Sequence, residues 1–247
     1  MNNLPTTQTQ SVMPVAQNAS QGAMVATQAK AVQEIQAAIL VSRQFPRDEN
    51  YSLQKVMKQC ETVRFAEKAM YGYSKGGTLI EGASIRLAES VARNWGNLSF
   101  GWEILQETGD GAHVRAFCWD MESNVSNDIK FYVPYERKAH GSIKKIFDAR
   151  ERYEHVANMA TRRLRACIMR VVPMYVFEEA IDFCKRTLEK GGINVDKLLT
   201  AFAKFGVTKK MIETRIGHSS GSISNGEAVQ LRTVYQSIKD GFKDVGY

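Results

Sequence analysis

The chain has 247 residues, above the ~100–200 of an ordinary domain, so one main core with a smaller appendage is expected. Hydrophobic residues make up 44%, enough for a core, and 33 Lys and Arg against 26 Asp and Glu give a formal charge of +7 that favours a polyanionic partner. No run of ~18 apolar residues and no basic-then-apolar leader occurs, which argues against a membrane helix or export and leads to an expected place in the cytoplasm.

Residues 1–28 contain Gln, Thr, Asn, Ser and Ala but no Lys, Arg, Asp or Glu, a composition that predicts an unstructured tail. From Lys30 to Phe45 a weak helical pattern (Val32, Ile35, Ile39) runs to Pro46, which stops it. After Asn50 and Ser52, the residues Leu53, Val56, Met57, Cys60, Val63 and Met70 recur on one helical face. The stretch Gly72–Gly77 reads as a flexible break. Ser84 caps the next helix, whose apolar positions Ile85, Ala88, Val91, Ala92 and Trp95 end at Gly96.

Between Leu98 and Val133 the period changes to two. Phe100, Trp102 and Ile104, then Val114, Ala116 and Cys118, alternate with the residues between them, and Thr108–Gly111 and Glu122–Asn124 supply turns. This predicts a three-stranded antiparallel meander ending at Pro134. A basic loop, Arg137 to Lys145, precedes a long helix that Asp148 starts and Pro173 ends. Its expected buried stripe is Tyr153, Val156, Ala160, Leu164, Cys167, Ile168 and Val171.

A further helix, Val176–Lys190, leads to Gly191-Gly192, read as a hinge. Three short helices follow, the last opened by the capping-box pattern Ser224-x-x-Glu227. The expected fold class is therefore α+β: a three-stranded antiparallel β-meander packed on a long helix, with flanking helices. The expected divisions are a tail (1–28), a core (29–190) and a small helical C-terminal module (191–247) that docks a partner. The module carries eight basic and five acidic residues, too small an excess for a main polyanion site, so it is expected to be dispensable for the core's activity in a purified system.

Charge is concentrated between Arg137 and Arg170, where ten basic residues face three acidic ones, an excess equal to that of the whole chain. Clustered basic charge is the footprint of phosphate binding. Arg162 and Arg165 share a helix face, while Arg163 and Arg170 share another, so arginines flank the buried stripe on both sides. The plainer reading is a solvated face with some ion pairs, which suits Arg150 and Arg152 better than the arginine trio. The rings Trp102, Phe117, Trp119, Phe131 and Tyr132 are stacking candidates for unpaired bases, although a sheet covered by a helix needs most of them in its core.

Other chemistry is weakly signalled. Gly72–Thr78 lacks the lysine that follows the second glycine of a nucleotide-binding loop. Asp120 with Asp128-Ile129-Lys130 echoes metal-dependent nucleases, but acids are common where turns meet strands. Four histidines show no ligand spacing, and Cys60, Cys118, Cys167 and Cys184, far apart, read as buried thiols. Neither a metal nor a cofactor is expected, and the chain is not expected to be an enzyme.

The strings Ile80-Glu-Gly-Ala-Ser-Ile-Arg-Leu-Ala-Glu89, Asn94-Trp95-Gly96, Tyr153-Glu154, Asn158 and Arg162-Arg163-Leu164-Arg165-Ala166-Cys167-Ile168, in this order of elements, resemble the phage single-strand annealing proteins of the RecT/Redβ group, related to the eukaryotic strand-annealing mediators. The resemblance covers roughly residues 50–190. It implies ATP-independent binding of single-stranded DNA and annealing to duplex during phage recombination and repair, in the host bacterial cytoplasm, by a homo-oligomeric ring or filament. It puts Arg137, Arg162, Arg163 and Arg165 in a DNA groove, with Lys138, Lys144 and Lys145 beside it, and suggests a host single-strand-binding protein or a phage exonuclease as partner. The alternatives are a nucleic-acid or protein adaptor using the same basic face and, further off, the metal-dependent nuclease.

Overall fold

The computed structural model describes the backbone of residues 15–75, 78–139, 142–191 and 193–240, and the side chains of these except 15–21, 24, 73–75, 78–80 and 138–139. Two compact units divide at Pro46, residues 1–46 and 47–247. The first holds α1, Val15–Gln44. Residues 15–28 of the expected tail are thus helical, because the segment from Val15 is rich in alanine and glutamine and free of proline; residues 1–14 lie outside the described ones.

The second unit begins with α2 (Glu49–Cys60), whose start is fixed by Asp48 accepting the Tyr51 N–H. The single helix expected through Met70 is broken. Thr62 adopts an extended conformation, and α3 (Val63–Ala69) starts anew. The stretch read as a flexible break is an antiparallel hairpin, β1 (Met70–Lys75) with β2 (Thr78–Ala83). Its tyrosines, Thr78, Leu79 and Ile80 favour strands, a signal that the glycines of the segment obscured.

Ser84 caps α4 (Ile85–Trp95) by accepting the Leu87 N–H. Gly96 (φ 83°) and Asn97 (φ 54°) then turn the chain into the sheet, in a conformation open to glycine and tolerated by asparagine. The meander is β3 (Leu98–Glu107), β4 (Gly111–Asp120) and β5 (Val125–Pro134), in that order and antiparallel. A second correction follows it. The expected basic loop pairs as β6 (Glu136–Ala139) with β7 (Ser142–Lys145), matching Arg137 with Lys144 and Glu136 with Lys145.

Asp148 accepts the Glu151 N–H to start α5 (Ala149–Val171), which lies across the meander. Its stripe Val156, Ala160, Leu164, Cys167 and Ile168 is buried against Ala112, Val114, Ala116 and Cys118 of β4. Each such valine or leucine contributes about 1.5–3 kcal/mol by leaving water. Tyr153, expected in the stripe, is exposed instead, its ring tilted against Trp102 at 6.2 Å. All four cysteines are buried thiols, as read from the sequence.

Pro173 separates α5 from α6 (Met174–Gly191). The C-terminal segment contains α7 (Val195–Ala203), α8 (Lys209–Ile216) closed by Gly217 at φ 83°, a 3₁₀ turn at Ser220–Ser222, and α9 (Asn225–Lys239) with the expected Ser224/Glu227 capping box. Leu198, Phe202, Val207, Ile212 and Leu231 form a small core here. However, α9 also packs on β1, α3 and α6, and its Val229 belongs to the main core. Arg232 pairs with Glu67 at 2.8 Å, and the Ser237 hydroxyl accepts the Gly72 N–H at 2.9 Å. The last helix is therefore an integral wall of the unit, unlike the detached module expected behind a hinge.

Candidate functional site

Residues 151, 155, 158, 162 and 165 follow one another on α5 at steps of four, three, four and three, the spacing of a single helical face. They are Glu151, His155, Asn158, Arg162 and Arg165. At 1.5 Å per residue the stripe is about 21 Å long. One end meets the β6–β7 hairpin, where Arg137 pairs with Glu151 at 2.9 Å while both side chains stay largely exposed (58% and 43%). Lys144 and Lys145 project from β7 into solvent. Arg137 and Lys144 face each other across the hairpin, and like charges so placed cost stability unless an anion joins them.

Midway, His155 donates to the Pro134 carbonyl, and burial together with Arg137 and Arg162 holds its imidazolium below the ordinary 6.5. The other end is a recess of about 240 Å³ between α4, α5 and the end of α9. Its cations are Arg86, Arg162, Arg165 and Lys239. Burial, then Arg163 and Arg165, lowers the pKa of the Arg162 guanidinium. Arg165 lies over the Tyr71 ring at 4.4 Å. That ring in turn covers Gly82, where a Cβ would approach the Tyr71 hydroxyl to 2.7 Å, so glycine at 82 is what lets the β1 tyrosine lie flat.

The structure thus brings Arg137, Arg162 and Arg165 onto one surface and sets Lys144 at its end, whereas Lys145, one strand residue on, lies opposite Glu136 and lines a separate recess with Tyr135 and Arg152. Arg163 is on the other flank of α5, over the Phe131 ring at 4.8 Å and donating to the Met159 carbonyl at 3.3 Å. A single-residue step turns a helix by about 100°, which is why adjacent arginines part company. The Lys138 side chain lies outside the described residues. Arg152, part of the basic cluster, stacks on Tyr135 at 4.7 Å and donates to the Ile146 carbonyl.

Among the five ring candidates, register places Trp102 and Phe131 on the helix-facing side of the sheet, and Phe117, Trp119 and Tyr132 on the opposite side. Arg115 on that side is neutralised by Glu103 and Asp128, which leaves Lys130, opposite Arg115 in the register, as an exposed cation beside those rings. Asp120 and Asp128 occupy opposite faces of the sheet, and each is held by an arginine. They do not converge on a shared metal position.

His155 and Asn158 were legible as members of the Arg162 face by spacing alone. Arg86 and Lys239 were not, because they arrive from α4 and α9, distant in sequence. Among the described residues no helix is long and apolar enough to cross a membrane. Comparison with family models, curated proteins and solved structures finds no match to the chain.

Proposed function

We propose that this chain binds single-stranded DNA along the α5 stripe and anneals complementary strands without consuming a nucleotide. The observation that carries the reading is the alignment of Arg137, His155, Asn158, Arg162 and Arg165 on one surface, with Lys144 at its hairpin end. Cations at intervals along a rigid helix neutralise phosphates without reading sequence. Held by its phosphates, a strand keeps its bases available, and base pairing supplies the free energy of annealing.

A ring or filament, the assembly that the resemblance implies, would join such stripes into a longer track. A host single-strand-binding protein or a phage exonuclease is the partner proposed with it. The test is fluorescence anisotropy with labelled oligothymidylate over a salt series. Affinity is expected to fall steeply as salt rises, because each neutralised phosphate releases a counterion. A flat salt response contradicts the reading.

A further inference from the structure

We propose that the recess between α4, α5 and the end of α9 holds a phosphate group of the bound strand, and that Asp240 occupies it as an internal anion which the phosphate displaces. This rests on the single-strand reading above and adds residues from two further elements to it.

Among the described residues four cations line the recess, Arg86, Arg162, Arg165 and Lys239, against one acid, Asp240, an excess of three positive charges. Asn158 and Thr161 add neutral hydrogen-bonding groups. The volume of about 240 Å³ equals about eight waters at their liquid share, room for a phosphate and part of its sugar. Planar guanidinium forks suit phosphate oxygens.

Asp240 shows what the recess attracts. One of its oxygens accepts from Arg86 at 2.8 Å, and the other from Gln236 Nε2 at 2.9 Å. It sits at the C-cap of α9, where the helix dipole disfavours negative charge. The carboxylate is therefore placed against its own helix dipole and held across the recess by Arg86. A phosphate offers the same cations more acceptor oxygens without that opposition.

The experiment uses the full chain and labelled oligothymidylate over a salt series, with Arg86→Gln, Lys239→Gln, Asp240→Asn and Arg162→Ala. Arg86→Gln and Lys239→Gln are each expected to bind roughly tenfold more weakly and to lose about one unit of salt slope. Asp240→Asn is expected to bind more tightly, whereas a merely structural aspartate would give weaker binding. A 5′-phosphorylated and an unphosphorylated strand, run in parallel, distinguish an end phosphate from an internal one; equal losses on both assign the recess to internal phosphates.

Weaker binding by Asp240→Asn overturns the proposal. So does wild-type behaviour of both Arg86→Gln and Lys239→Gln while Arg162→Ala binds poorly, a pattern that leaves the stripe itself standing. Wild-type binding by Arg162→Ala as well removes the stripe.

Discussion

Arg47 Nη2 lies 2.5 Å from Asp120 Oδ1, and both side chains are almost fully buried, at 8% and 6% exposure. The same guanidinium reaches Glu122 at 3.3 Å and lies 5.2 Å from the Trp95 ring centre, while Asp120 also accepts the N–H groups of Glu122 and Ser123. An acid that resembled half of a metal site is thus the anchor of the turn after β4. Replacing Arg47 with alanine leaves that carboxylate buried and uncompensated, a loss of about 3–5 kcal/mol of stability. Urea denaturation at pH 7 reads it, and a change under 1 kcal/mol contradicts this role.

The same cluster sets an acid limit. Burial opposes ionisation of Asp120, but Arg47 and the hydrogen bonds from Glu122 and Ser123 outweigh it and hold the carboxyl below the ordinary 3.8; Glu122 is likewise held below 4.5 by Asn97 and Arg47 against its own desolvation. A carboxyl with a lowered folded pKa contributes stability above its ordinary value and loses it as pH falls through the folded one. Stability is therefore expected to drop as pH falls from about 4.5. In Arg47→Ala this part of the pH dependence shrinks, and an unchanged acid profile in the variant speaks against the assignment.

Adjacent arginines should behave differently. Arg163→Ala removes a cation–π contact with Phe131 and packing against Met159, so it is expected to lower stability by about 1–2 kcal/mol and leave single-strand affinity within about twofold. Arg162→Ala is expected to do the reverse. Paired melting and anisotropy measurements decide, and equal affinity losses for the two would place the strand on both flanks of α5.

His155 is expected to make strand binding sensitive to pH. Burial and its neighbours Arg137 and Arg162 lower its pKa, with Glu151 and the Pro134 carbonyl acting in the opposite sense. A phosphate brought to the stripe favours the imidazolium, so binding is expected to take up a proton and to tighten as pH falls toward the lowered pKa, below 6.5. His155→Gln should flatten that trend. The same slope in wild type and variant would assign the proton to another group.

Truncation after Lys190 removes α9 and with it Val229 from the main core, the Arg232–Glu67 pair and the Ser237–Gly72 hydrogen bond. The shortened chain is expected to melt well below the full-length protein and to bind a hydrophobic dye. A truncated chain with unchanged melting would restore the dispensable module that the hinge glycines suggested.

The meander, α5 with its cap, and the closing glycines were legible because alternation, helical spacing and capping residues are local signals. The β1–β2 and β6–β7 hairpins were hidden, since Gly72, Gly76 and Gly77 in one and the charges of the other look like loop, and cross-strand pairing decides them. The recess was invisible for a different reason. Arg86 meets Arg162 through the packing of α4 on α5, and Lys239 through that of α9 on β1, α3 and α6, which no window of sequence contains. Helical spacing already sets Arg163 on a different face from Arg162 and Arg165, and it joins them only in the groove that the resemblance implies.

The central claim is tested most directly by the rate at which two complementary oligonucleotides anneal, with no nucleotide added, in the presence of the wild-type chain or Arg162→Ala of matched circular dichroism. Wild type is expected to accelerate annealing above the spontaneous rate, with little acceleration by the variant. Tight binding of either strand by wild type without acceleration would contradict the account and leave a single-strand-binding adaptor, and equal acceleration by the two proteins would show that the strands do not meet on the α5 stripe.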